Sequence, residues 1–257
     1  MAQASADTDQ AVATRPGAEA GVVHRRRSRR KLPWPIGFYR TAVGKKWVMA
    51  LSGIALLGYV LVHMLGNMKV YLGPEEINSY GESLRELGGH LVPRTNLLWL
   101  MRIGLILAFA VHIHSAYSLT RMNISSRPER YQGGRDYIAV NFASRTMRWT
   151  GIIVLLYLAY HLADLTWGWA NPDFIRGDVY HNMVESFSRW PVAILYIVAN
   201  VALAIHIYHG AWSMFQSLGI NNPRYNEARR VFAGAFAFAI GAGNVLFPVM
   251  VLTGVIG

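Results

Sequence analysis

Polar and apolar positions alternate in long blocks along this chain: apolar runs occur at about 47–68, 97–120, 147–169, 190–215 and 231–256, separated by charged connections. At about 1.5 Å of rise per residue, each run is long enough as a helix to cross a hydrocarbon core of about 30 Å. No run shows the strict alternation of a half-buried strand. The pattern predicts an all-α integral membrane bundle of five transmembrane helices. Tryptophans mark the expected interfaces: Trp47, Trp99, Trp149 and Trp190 open the first four runs, while Trp167 and Trp169 close the third. Pro191 opens a run and Pro248 lies near the end of one, so neither interrupts a central stretch.

Composition agrees with the pattern. At 53% hydrophobic and 15% charged residues, 257 residues carry too little polar surface for an ordinary soluble globule. The absence of cysteine excludes disulfides and any iron–sulfur cluster held by this chain alone, although a partner could supply sulfur ligands. Charge sets the expected orientation. Nineteen of the 25 Lys and Arg fall in the N-terminal arm and the 121–148 and 219–230 connections, which lie on one side of a five-span bundle. The other two connections hold seven of the 14 Asp and Glu. By the positive-inside rule the N-terminus is cytoplasmic and the C-terminus outside, in a cell (inner) membrane. Residues 1–33 read as a disordered basic arm, with Arg25, Arg26, Arg27, Arg29, Arg30 and Lys31 suited to anionic lipid rather than nucleic acid. They lack the apolar stretch of a cleaved signal peptide. Residues 34–257 read as one transmembrane domain.

The histidines carry the candidate chemistry, because an ionisable side chain inside a bilayer is costly and usually serves a cofactor, an ion path or a polar partner. Spans one and three share a weak repeat, a basic start followed by glycine and then histidine, which places His63 and His161 at similar depth toward the outer face. Spans two and four run the other way and place His112, His114, His206 and His209 near the cytoplasmic face. Two neutral imidazoles on facing helices at matched depth suit a b-type haem, helped by small neighbours such as Gly151, Asn200, Ala202 and Gly210. His63 with His161 forms the outer pair. From the inner set His112, the deeper of its two, and His209, followed by Gly210 and Ala211, are the expected ligands. Two inner histidines completing a Rieske-type [2Fe-2S] cluster with partner cysteines is the rival centre. Asp164, three residues after His161, is expected to be an interfacial acid more than an orienting partner of the imidazole. In the last span Ala235, Ala239 and Gly243 form a small-residue stripe suited to close helix packing.

The segments GKKWVMALSGIALLGYVLVHMLGN, PEEINSYGESLR, HIHSAYSLTRMNISSRPERY, RTMRWTGIIVLLYLAYH and HIYHGAW together resemble the five-helix cytochrome b membrane anchor of succinate dehydrogenase and fumarate reductase, over about residues 37–247. In dihaem members of that family the first and third helices ligate the outer haem and the second and fourth the inner one. The resemblance therefore implies two b haems, held by His63 and His161 and by His112 and His209. This chain departs from the family in the doubled histidine of both inner segments.

The same resemblance implies a chain without the succinate active site. A flavoprotein subunit would oxidise succinate, an iron–sulfur subunit would carry the electrons, and this anchor would dock both on its cytoplasmic face and reduce menaquinone or ubiquinone. For an inner quinone site the expected hydrogen-bonding residues are Ser52, Arg145, Arg148 and Trp34; an outer site would use Glu75, Glu76 or Asn67. A histidine-lined proton or solute transporter is the alternative from another class, against which the uninterrupted spans count.

Overall fold

The computed structural model describes residues 33–126 and 138–257, with the backbone alone for 138–145. The expected basic arm of residues 1–33 falls, up to residue 32, outside the described residues. Among the described residues eight α-helices follow one another: α1 (Trp34–Tyr39), α2 (Ala42–Asn67), α3 (Pro74–Ser83), α4 (Asn96–Ser125), α5 (Ile138–Leu165), α6 (Val179–Ser188), α7 (Trp190–Ser217) and α8 (Asn226–Leu252). Short 3₁₀ turns at Met68–Leu72 and Pro223–Tyr225 join α2 to α3 and precede α8. There is no strand among the described residues.

A side-chain cap sets the start of one long helix beyond its apolar run. Helix α2 starts five residues before its expected boundary because the Thr41 hydroxyl accepts from the Gly44 N–H at 2.9 Å. Helix α5 stops at Leu165, so Trp167 and Trp169 lie beyond it, their rings 4.6 Å apart and both exposed. Pro191 does open a helix, in the first turn of α7, and Pro248 does lie near the end of α8.

Among the described residues four segments are long and apolar enough to cross a membrane: Ala42–Leu72, Asn96–Ser125, Trp190–Ser217 and Pro223–Leu252. These make the chain a multi-pass helical membrane protein by length and composition. Helix α5 has 28 residues but also carries Arg148, Tyr157, Tyr160, His161 and Asp164, and it is not among the four. Large apolar side chains such as Leu100, Ile106, Leu107, Leu156 and Phe238 point outward, as lipid-facing positions do.

The two ends of the bundle differ. At one end, here the cap end, the first 3₁₀ turn, α3, α6 and the connection after α5 fold over the helices. There Met64, Val70, Ile77, Met183, Phe187 and Phe247 form one buried cluster. Asn78 ties α3 to α6, accepting from the N–H groups of Val179 (2.8 Å) and Tyr180 (3.1 Å) and donating to Asp178 (2.9 Å). At the other end, the α1 end, small residues such as Ala211 and Ala233 are buried.

Helix α8 packs most extensively on α7, as small side chains allow. A Cβ at Gly241 would lie 2.8 Å from that of Ala204, and Gly243 lies against the Met64 thioether. The expected small-residue stripe is corrected here. Ala235 and Ala239 are exposed, and the buried face runs through Ala233, Ala237, Ile240 and Gly241 as well as Gly243. Choosing between two faces of an alanine-rich helix requires knowing where α7 and α2 lie.

Candidate functional site

Four helices bring the core histidines together as two pairs. Near the cap end the rings of His63, on α2, and His161, on α5, have centroids 5.8 Å apart and cross at 74°. An imidazole–metal–imidazole arrangement with metal–nitrogen bonds of about 2 Å would span about 6 Å between ring centres, so this separation suits one axial pair. Toward the α1 end His112, on α4, lies within electrostatic reach of His206, on α7. Helix α2 packs along α4 and α7, and α5 along α7, but neither α2 with α5 nor α4 with α7 forms an extended contact among the described residues. The helices that carry each pair are thus the ones held apart, as a flat macrocycle between them requires.

Hydrogen-bond polarity decides what these rings can do. A neutral imidazole has one N–H and one lone pair, and it binds a metal only through the nitrogen left bare. His112 Nδ1 lies 3.1 Å from the Met49 carbonyl, which can only accept, so Nδ1 carries the proton and Nε2 is bare. Ser52 agrees: its hydroxyl hydrogen goes to the Val48 carbonyl (2.7 Å), leaving its oxygen to accept from His112 (3.3 Å). The other half of the bundle repeats the device. Thr150 donates to the Thr146 carbonyl at 2.7 Å and faces His206 Nδ1 at 3.3 Å, so His206 Nε2 is bare as well.

At His161 the donor chain is longer. Tyr196 gives its single hydroxyl hydrogen to Asp164 (2.9 Å), so its oxygen accepts from His161 Nδ1 (3.4 Å) and leaves Nε2 bare. His63 Nδ1 lies 3.2 Å from the Asn67 side-chain amide nitrogen, which donates to it; the opposite polarity, with Nε2 bare, requires the amide turned so that its oxygen faces the ring. None of the four Nε2 atoms takes a hydrogen bond from the described residues. No group of three or more metal-ligating side chains converges among those residues, so the chain offers pairs of donors.

His209 is placed differently. It is half-buried, its ring is 5.1 Å from that of Tyr208, and its buried Nδ1 has no hydrogen-bond partner. His206, which the expected set did not contain, is the α7 imidazole with a hydrogen-bonded Nδ1 and within electrostatic reach of His112. The signal was in the sequence: Met49-x-x-Ser52-Gly53 recurs as Met147-x-x-Thr150-Gly151, with histidine 11 residues later in both copies, and Ala-Val-His112-Ile recurs as Ala-Ile-His206-Ile. A Cβ at Gly53 or Gly151 would lie 3.5 or 3.4 Å from the ring of His112 or His206, so both repeat glycines adjoin the rings. His114 is exposed and bonds Tyr39 at 2.5 Å, joining α1 to α4.

Asp164 corrects the interfacial reading. It is fully buried and bonded to Arg189 (2.8 Å) as well as Tyr196. Arg189 also donates to the carbonyl of Ala170 (2.8 Å) and the hydroxyl of Ser186 (3.2 Å), so the ion pair fastens the end of α5 to the cap. Tyr157 lies within ring contact of His161 and accepts from Asn200 at 3.3 Å.

The residues expected around a quinone are dispersed in character. Ser52 is buried with its hydrogen committed to the backbone, Trp34 is exposed and stacked on Phe38, and Arg148 is exposed. The Arg145 side chain lies outside the described residues.

A helical membrane protein with paired core imidazoles defines the class. Within it, residues 138–243, from the start of α5 into α8, match the family model described as succinate dehydrogenase/fumarate reductase transmembrane subunit. No curated protein and no solved structure matches the chain.

Proposed function

We propose that this chain is the membrane anchor of a succinate dehydrogenase or fumarate reductase, with α2, α4, α5, α7 and α8 as its five spans and the α1 end cytoplasmic. The family match over α5–α8 supports the assignment. The lysines and arginines concentrated on the α1 side support the orientation. On this reading the chain docks a flavoprotein and an iron–sulfur subunit on its cytoplasmic face and delivers their electrons to a membrane quinone, menaquinone or ubiquinone.

Two b haems complete the proposal, one held by His63 and His161 toward the outer face and one by His112 and His206 toward the cytoplasm. The observation that carries it is the hydrogen-bond polarity that leaves Nε2 bare on His112, His161 and His206. His206 takes the place first expected for His209. A bis-histidine haem supplies reversible one-electron transfer when bound. The protein's part is to orient the four rings from outside: Ser52 and the Met49 carbonyl hold His112, Thr150 holds His206, Tyr196 holds His161 and Asn67 holds His63. The quinone site is proposed at the α1 end, where Trp34 and Arg148 are exposed near the membrane boundary; Ser52 serves His112 instead.

Haem quantitation and a reduced-minus-oxidised absorbance spectrum on the detergent-purified complex test the proposal. Two b haems per chain are expected. His206→Ala should remove one and His209→Ala neither; the reverse result would reject the pairing, and absence of haem would reject the ligand assignment altogether.

A further inference from the structure

The four core imidazoles do not have equivalent partners. His63, His112 and His206 each hydrogen-bond neutral groups: the Asn67 amide, the Met49 carbonyl with the Ser52 hydroxyl, and the Thr150 hydroxyl. His161 alone among these four heads a chain that ends on a charge, running from its Nδ1 through the Tyr196 hydroxyl to the Asp164 carboxylate. That carboxylate has no exposed surface, and it pairs with the Arg189 guanidinium at 2.8 Å. The guanidinium is fixed in turn by the Ala170 carbonyl and the Ser186 hydroxyl, so neither partner of the pair is free to swing away. Buried ion pairs are poor sources of net stability, because desolvation of both charges offsets their attraction. The position of this one beside an imidazole calls for another role.

We propose that Asp164 is a positioning residue for His161, acting through Tyr196 to hold the imidazole with Nε2 bare and to make that nitrogen a stronger electron donor than its three counterparts. The inference rests on the haem reading above. A ligand imidazole whose other N–H leans on an anionic chain gains basicity, and a more basic axial ligand favours the oxidised metal. The cap-end site therefore has a lower reduction potential than the same pair of histidines would have without Asp164. The α1-end site is unaffected, since no carboxylate among the described residues enters the hydrogen bonds of His112 or His206.

A potentiometric titration of the purified complex, following the b-haem absorbance, reads this directly once His161→Ala has identified the cap-end component. Asp164→Asn should move that component to higher potential and change its low-spin ferric EPR signal, with the other component unmoved. Because Asp164→Asn also strips Arg189 of its partner and could prevent assembly, Tyr196→Phe is the second variant. It keeps the ion pair, removes the hydroxyl link and should shift the same component in the same direction. Unchanged potentials in Tyr196→Phe, or equal shifts of both components, would overturn the role of Asp164. A wild-type complex without haem, or one in which His161→Ala retains both, would instead remove the haem reading itself, and the two failures are distinct in the first measurement.

Discussion

The cap end and the α1 end of the bundle orient histidines by different means. At the α1 end, Ser52 and Thr150 each satisfy a carbonyl one turn back in their own helix and offer the remaining lone pair to an imidazole on another helix. The device needs only two helices and an i−4 hydroxyl, which is why it could be duplicated. At the cap end a tyrosine, a buried aspartate and an arginine do the work for His161, and they come from α7, α5 and the α6–α7 junction. That arrangement demands a site shielded from water, since an ion pair open to solvent would orient little. The cap supplies the shielding: α3, α6 and the connection after α5 close over the buried cluster around Met64, Val70 and Ile77. Orientation by charge thus depends on tertiary closure, and orientation by hydroxyl does not.

The contrast can be broken most forcibly at Arg189. Replacing it by Ala strands the fully buried Asp164 without its cation, a loss of about 3–5 kcal/mol, and should sharply lower the melting temperature of the detergent-solubilised complex. An unchanged melt would mean that the cap is not held by this pair. At the opposite end the largest effect is expected at Gly44, where an added Cβ would collide with the Phe38 backbone carbonyl. Gly44→Ala should cost about 1–3 kcal/mol and increase deuterium uptake across Trp34–Tyr39, because α1 must move off α2. Protection equal to wild type would count against that close approach.

Smaller effects sharpen the comparison. Ser52→Ala and Thr150→Val each remove a hydroxyl that bonds both an i−4 carbonyl and an imidazole, about 1 kcal/mol per neutral hydrogen bond, and should affect melting similarly if the two halves use the same device. A large effect in only one would show that the repeat is not functional in both.

The smallest effect is at Asp178, which caps α6. The His181 backbone N–H and the Asn78 side chain both donate to its carboxylate and hold its pKa below the ordinary 3.8. A depressed pKa stabilises the folded state above the unfolded value, and this contribution disappears as pH falls through the lower folded value. Wild type and Asp178→Asn should therefore respond alike between pH of about 7 and 5 and diverge below about 4, where only wild type loses this contribution. Parallel melting curves down to pH of about 3 would eliminate the cap's contribution.

Hydrophobic blocks were enough to locate the long helices, since a run of apolar residues that crosses a bilayer must satisfy its backbone within a helix. They were weaker at the ends, where Thr41, a polar cap, extends α2 beyond its apolar run. Depth alone anticipated that His63 and His161 lie together, and their rings are 5.8 Å apart. Depth could not separate His206 from His209, because residues three apart on one helix differ little in height; in the structure it is His206 that meets Thr150 on a different helix. Ser52 stood out as a polar residue in an apolar run, yet its target was visible only once α4 lay beside α2.

Asp164 marks the clearest division. By itself the sequence determined that an acid follows His161 by three residues near the end of an apolar run, and such an acid is ordinarily free to reach water. Only the tertiary structure buried it, because Arg189 is 25 residues away along the chain and meets Asp164 only when the cap folds back over α5. Local pattern determines which segments are helical and roughly how deep each histidine lies. The hydrogen-bond partners that leave Nε2 bare on His112, His161 and His206 come from long-range packing, and no short window of sequence contains them; only Asn67, four residues after His63, is local.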